Sequence, residues 1–151
     1  MHGTPYKLED SIHNHIRFGD GEIMHRKGST ELGRSGTVVI PLSMSRGSLL
    51  VQAVSKDAAK PALQSCAHGA GRRLSRFDAM KYWKTVLKEK QRKMYREQFS
   101  ELLNRSGDFP PGYIQEFDFA YKDATDILRY QPYLKKVTHT RPVATVKFTE
   151  I

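Results

Sequence analysis

Ser65-Cys66-Ala67-His68-Gly69-Ala70-Gly71-Arg72-Arg73-Leu74-Ser75-Arg76 divides this sequence, because the segments before it read as strands and the segment after it reads as helix. Gly69, Ala70 and Gly71 carry little or no side chain, so the backbone can turn sharply and aim successive N–H groups at an anion. Arg72, Arg73 and Arg76 add positive charge, and a helix starting near Ser75 adds the positive end of its dipole. The stretch reads as a phosphate site that carries its own nucleophile, His68. The competing reading is a surface histidine in a glycine-rich turn.

Upstream, residues 22–27 and 37–43 have the composition of short strands, joined by a loop containing Gly28, Gly33 and Gly36, and 49–54 is a further strand candidate. Downstream, Met80, Trp83, Leu87, Met94, Phe99 and Leu102 recur at mostly helical spacing between 75 and 103, with Ser75 as N-cap and Asp78 three residues on. The apolar stripe thins between Lys88 and Lys93, which allows two helices in place of one. Gly107-Asp108-Phe109-Pro110-Pro111-Gly112 stops the helical region, since proline cannot continue it. A helix over 124–130 and a strand over 141–148 complete the pattern. Strands and helices do not alternate regularly, so the expected class is α+β, with mixed sheets and packed helices. Residues 1–151 read as one domain, with 81–105 a basic helical segment inside it.

A net charge of +9 and a pI near 9.7 favour a polyanionic partner such as nucleic acid. No run of about 18 apolar residues occurs, and the first residues lack a charged-then-apolar signal pattern, so the expected setting is cytoplasmic, with no membrane partner. A single cysteine, Cys66, excludes an intrachain disulfide framework.

Several separated segments share one resemblance. Asp10-Ser11-Ile12-His13-Asn14, His25-Arg26-Lys27-Gly28, Ile40-Pro41-Leu42-Ser43-Met44 with Ser48, the His68–Arg76 turn, Ala120-Tyr121-Lys122-Asp123 and Arg141-Pro142 with Val146-Lys147 follow one another in the order found in the RtcB-type RNA ligases. The chain resembles the C-terminal portion of that family. The resemblance implies a GTP- and Mn2+-dependent ligase that joins RNA ends bearing a 3′-phosphate or 2′,3′-cyclic phosphate to 5′-hydroxyl ends, in RNA splicing and repair. It implies that His68 attacks the α-phosphorus of GTP and carries GMP covalently. A neutral imidazole can attack phosphorus, and its phosphoramidate is a good leaving group for a second transfer.

By the same resemblance His13 is a metal ligand and Asn14 its nucleotide-contacting neighbour. Pro41, Leu42, Ser43, Met44 and Ser48 contact the guanosine, and Gly69, Ala70 and Gly71 hold the nucleotide beside the nucleophile. Tyr121 packs on the base, Lys147 reads a guanine edge, and Lys27 and Arg72 lie on the phosphate side. The family's Pro-Gly-Ser-Met-Gly pattern reads Pro41-Leu42-Ser43-Met44-Ser45 here, which matters if either glycine needed φ > 0 or a close backbone approach. The family's metal cluster also uses an aspartate, a cysteine and further histidines that have no counterpart in this chain. Poor metal binding by this chain alone is therefore expected, with a separate N-terminal ligase half as a candidate partner.

Other residues admit plainer readings. His13 and His15 form a His-x-His pair that would face one way in a strand and could share a metal, although such a pair is more often structural. His25 and His139 read as structural or surface residues. Cys66 could be the nucleophile of a Cys/His enzyme, but a small buried thiol is the commoner case. Lys81, Lys84, Lys88, Lys90, Arg92, Lys93, Arg96 and Arg105 read as a solvated helix face or as a track for an RNA backbone, and Trp83 as core. The function class that competes with a ligase is a non-catalytic RNA- or nucleotide-binding remnant that lacks the metal half.

Overall fold

Val38, Ile40 and Leu42 alternate along one segment, and Leu49 and Val51 along the next, so each has one apolar face to bury, and the two pair as antiparallel strands. The computed structural model describes residues 12–19, 21–32, 36–104 and 107–145. Its strands are β1 (Asn14–Gly19), β2 (Glu22–Lys27), β3 (Ser29–Glu31), β4 (Thr37–Ser43), β5 (Gly47–Ala53), β6 (Ser65–Ala67) and β7 (Leu134–His139). Its helices are α1 (Arg76–Thr85), α2 (Glu89–Leu102), α3 (Pro111–Ile114) and α4 (Ala124–Tyr130), with 3-10 turns at Lys60–Ala62 and Asp118–Ala120. The strands form three antiparallel sheets, β1-β2, β3-β6 and β4-β5-β7. The class is α+β.

Two clusters of buried side chains lie beneath these elements. Val38, Ile40, Leu42, Leu49 and Val51 pack with Cys66, Ala70, Ile127 and Leu134 on the sheet side. Trp83, Leu87, Phe99, Phe109, Tyr113, Phe117 and Phe119 form an aromatic cluster on the helical side. The β1-β2 hairpin is tied to β6 and the loop before it by buried Arg26, which donates from Nε to Ser65 Oγ at 2.9 Å and from a terminal nitrogen to the Leu63 carbonyl at 2.9 Å.

The helical stretch expected over 75–103 is two helices. Ser75 caps α1, its hydroxyl accepting from the Asp78 N–H at 3.0 Å. Leu87 turns inward to the aromatic cluster, Lys88 is extended, and the Gln91 side chain accepts from the Lys88 N–H at 3.0 Å to start α2. Three of the four basic residues of α2 are engaged with its own acids: Arg92 and Arg96 pair with Glu89 at 2.8 Å, and Lys93 lies 3.9 Å from Glu97. These pairs fit the solvated-face reading, and Arg105 lies outside the described residues. Trp83 is core, as expected.

One strand assignment is corrected. Residues 141–145 form no strand, and 146–148 lie outside the described residues. The strand that pairs with β5 is β7, whose residues after Leu134 are all exposed, so it lacks the apolar alternation that marks a half-buried strand.

β7 leads onto the β4–β5 turn through Thr140, whose N–H donates to the Ser48 carbonyl at 2.9 Å and whose hydroxyl accepts from the Ser48 N–H at 3.0 Å. Gly47 permits this approach: its φ is +70°, and a Cβ there would overlap the Thr140 carbonyl oxygen. Gly47→Ala is expected to cost at least about 2 kcal/mol, from the left-handed backbone and the displaced Thr140 together. Thermal unfolding should show a midpoint lower by roughly 4–8 °C, and an unchanged midpoint would mean that Thr140 is not pressed against the turn.

Candidate active site

The turn after β6 is sewn between two distant segments. Ala70 donates its N–H to the Pro41 carbonyl at 2.9 Å, and Lys122 donates its N–H to the Gly71 carbonyl at 3.1 Å. Gly71 has φ +69°, a conformation that disfavours a side chain. A Cβ at Gly69 would lie 3.3 Å from the Pro41 carbonyl oxygen, so that glycine serves close approach to β4. Arg72 then bridges to Tyr121 across an isolated antiparallel pair.

His68 is exposed, and its ring is held from two directions. The His13 ring stacks on it with centroids 5.2 Å apart and planes 8° from parallel. Its Nδ1 lies 2.6 Å from the Gly28 carbonyl oxygen. A carbonyl can only accept, so Nδ1 carries the proton, and in the neutral ring Nε2 keeps its lone pair. Gly28 is fixed in turn, because its N–H is shared between the His13 carbonyl and Asn14 Oδ1, each at 3.0 Å.

A cavity of about 680 Å³ opens beside this ring, within the roughly 300–1,000 Å³ range of small-molecule sites. His13 and His68 form one wall, Pro41, Leu42, Ser43, Met44 and Ser48 a second, and Gly69, Ala70, Gly71, Arg72 and Tyr121 a third. Pro142 and Thr145 also line it. The fold therefore gathers most of the sequence-derived candidates at one place. Asn14 and Lys27 are not in its walls: Asn14 acts on Gly28, and Lys27 is exposed opposite Asn14 on the hairpin. Lys147 lies outside the described residues.

The arginines are engaged by the protein itself. Arg72 donates to Glu116 at 3.0 Å, to the Gln115 carbonyl at 2.6 Å and to the Leu74 carbonyl at 3.0 Å, and Arg76 lies 3.3 Å from Glu116. Arg73 donates to the Phe119 carbonyl at 3.1 Å. The phosphate cradle expected from the turn's N–H groups and arginines is thus partly occupied, with Arg72 lining the cavity while bonded behind it. Tyr121 donates its hydroxyl to Glu116 beneath the Arg72 guanidinium, which lies 5.1 Å from the ring centroid. Burial, followed by this hydrogen bond and the Glu116 charge, pushes the Tyr121 phenol up to about 12, so it remains a protonated wall of the site.

Asp118 and Glu116 have no sequence signal of their own, since their serine and arginine partners lie far away in the chain. The Ser43 hydroxyl donates to Asp118 Oδ1 at 2.6 Å, and the Ser45 hydroxyl donates to Oδ2. Asp118 is buried and clamps the β4–β5 turn to the 3-10 turn before Tyr121. Both departures from the family pattern find a place here. Leu42 is buried in the sheet-side core, Ser45 serves the clamp, and neither has positive φ. Asp118→Ala leaves two hydroxyls without their acceptor, an expected loss of about 1–3 kcal/mol. Nucleotide affinity should fall with it, Asp118→Asn should recover part of both, and calorimetric titration showing unchanged affinity in Asp118→Ala would remove the clamp from the site.

Cys66 is not a nucleophile. It is buried opposite Thr30 in β6, and burial pushes its thiol up to about 11, leaving little thiolate near neutrality. His15 does not join His13 on a metal either; its Nε2 faces Arg26 and Glu31, at 3.4 and 3.7 Å. Among the described residues no group of three histidine, cysteine, aspartate or glutamate side chains is placed to hold a metal ion. No helix among them is long and apolar enough to cross a membrane.

A comparison with curated proteins found no match. The sequence model of one family, described as tRNA-splicing ligase RtcB, matches residues 6–148, and that span contains the hairpin, the His68 turn and every wall of the cavity. By that match over nearly its whole length, the chain belongs to the RtcB family of tRNA-splicing ligases.

Proposed function

We propose that this chain contributes the guanylyl-carrying site of a GTP-dependent RNA ligase, with His68 as the residue that accepts GMP. The observation that carries the reading is the orientation of His68: Nδ1 is tied to the Gly28 carbonyl, and Nε2 is left with its lone pair beside a cavity of nucleotide size. The Nε2 lone pair attacks the α-phosphorus of GTP, forming an N–P bond as pyrophosphate departs with the electrons of the broken P–O bond. An oxygen of an RNA 3′-phosphate then displaces the histidine, returning the pair to Nε2, and a 5′-hydroxyl finally displaces GMP to close the RNA strand. His13 stacking and the Gly28 hydrogen bond hold the ring in one orientation through these steps, which limits the reorganisation each transfer requires.

The residues present fit a nucleotide but not a manganese cluster. Pro41, Met44 and Tyr121 offer apolar and aromatic surface for a base, with Ser48 as a polar contact. For manganese, His13 is the one member of the family's ligand set in this chain, and one imidazole does not hold two ions. Ligands supplied by a second polypeptide would complete the set, and the non-catalytic reading applies if none does.

The test is incubation with α-labelled GTP and Mn2+, with and without a candidate N-terminal ligase half, followed by denaturing electrophoresis. A label that is acid-labile and base-stable is the expected result. No label under either condition would sink the ligase reading, and nucleotide binding alone would leave the non-catalytic one.

A further inference from the structure

Gly28 stands alone between β2, which ends at Lys27, and β3, which begins at Ser29. It therefore joins two sheets: the β1-β2 hairpin, just before which His13 lies, and β3-β6, after which His68 follows. With φ +66° and no side chain, this residue has few conformational restraints of its own, so its hydrogen bonds decide where its carbonyl points. On the β3 side, Ser29 is registered against Ala67. On the hairpin side, Asn14 lies opposite Lys27, and its Oδ1 accepts from the Gly28 N–H at 3.0 Å. The Gly28 carbonyl oxygen in turn lies 2.6 Å from His68 Nδ1. Asn14 is thus two hydrogen bonds away from the nucleophile while it does not line the cavity.

We propose that Asn14 is a positioning residue for His68: its side chain pins the Gly28 joint so that the Gly28 carbonyl receives the Nδ1 proton and Nε2 is left to attack. A loose joint lets that carbonyl turn away, and the ring then exchanges its proton between Nδ1 and Nε2. A ring protonated on Nε2 has no lone pair to offer at that atom. The stack of His13 on His68 loosens with it, because the His13 carbonyl accepts from the same Gly28 N–H at 3.0 Å. The proposal rests on the reading of His68 as the guanylyl carrier, and it departs from the nucleotide contact that the resemblance implies for Asn14. A nucleotide contact would show as lost affinity, and positioning as a changed ring and a slower transfer at unchanged affinity.

The tautomer of the His68 ring would be read by long-range nitrogen–proton correlation NMR on the full chain with isotope-labelled histidine, at about pH 8.5, above the ordinary histidine range. Signals missing in His68→Ala identify the ring. Wild type is expected in the Nδ1–H form, and Asn14→Ala, a change at an exposed position, as a mixture with about half or more Nε2–H. Asn14→Asp keeps an acceptor oxygen and should return the ring to Nδ1–H. Titration with fluorescent GTP should give Asn14→Ala an affinity within about threefold of wild type, while its rate of label incorporation from α-labelled GTP falls at least about tenfold. An Nε2–H ring in wild type, or an unchanged Nδ1–H ring in Asn14→Ala, would overturn the proposal. A loss of GTP affinity of about tenfold or more in Asn14→Ala would overturn it in favour of a nucleotide contact. If wild type takes up no label, the guanylyl reading falls, while the tautomer still decides the role of Asn14.

Discussion

His68→Ala is expected to abolish covalent GMP incorporation, with any residual transfer at least about 10³-fold below wild type. The size of the effect follows from the geometry around the ring. Nε2 is the atom whose lone pair is left by the Gly28 hydrogen bond, and neither Cys66 nor Tyr121 can replace it at the cavity. Cys66 is buried with its thiol held up to about 11, and the Tyr121 hydroxyl is given to Glu116 with its phenol at about 12. His13 lies parallel to His68, in contact with the same cavity, so it is the one group that could take over. Label persisting in His68→Ala and lost in His13→Ala would transfer the role to His13. His68→Gln can keep a hydrogen bond to Gly28 but has no ring nitrogen, so it should be equally inactive. Nucleotide affinity should change by less than about threefold in either His68 variant, because the walls made by Pro41, Ser43, Met44 and Tyr121 remain.

Phe117→Ala should be the most damaging substitution to stability, at about 3–5 kcal/mol. Phe117 is fully buried and stacks on Phe99 at 4.2 Å between centroids and 8° between planes. Trp83 and Phe109 meet it edge-on, at 5.5 and 5.6 Å. Removing the ring leaves a cavity bordered by α1, α2 and the segment before α3, against a total stability that for a domain is typically about 5–15 kcal/mol. A thermal midpoint lower by roughly 10 °C is expected, and a shift under about 3 °C would show that the cluster collapses to fill the space. The effect should reach the site as well. Phe117 sits between Glu116, which holds Arg72 and Tyr121, and Asp118, which holds Ser43 and Ser45. Nucleotide affinity should therefore fall along with stability.

Val38, Ile40 and Leu42 alternate, Trp83 and Phe99 recur at helical spacing on what are two helices, and Ser75 stands where a cap is needed. Each is a local pattern, and each is reproduced in the fold. β7 was not legible, because an edge strand exposed on both sides shows no apolar period. β1 was missed for a related reason: its apolar residues Ile16 and Phe18 are exposed in a two-stranded hairpin.

By itself the sequence left one helix or two open over 75–103, and it determined the α+β class, the family and the histidine that lies at the site. These depend on short-range patterns or on motifs that keep their order along the chain. Only the tertiary structure decided which nitrogen of His68 is presented, that Arg72 is bonded to Glu116, and that Asp118 clamps the serine turn. Hydrogen bonds and ion pairs act over about 3–4 Å whatever the sequence separation. Gly28 and His68, 40 residues apart, and Ser43 and Asp118, 75 apart, became partners only when the sheets and the aromatic cluster brought their backbones together.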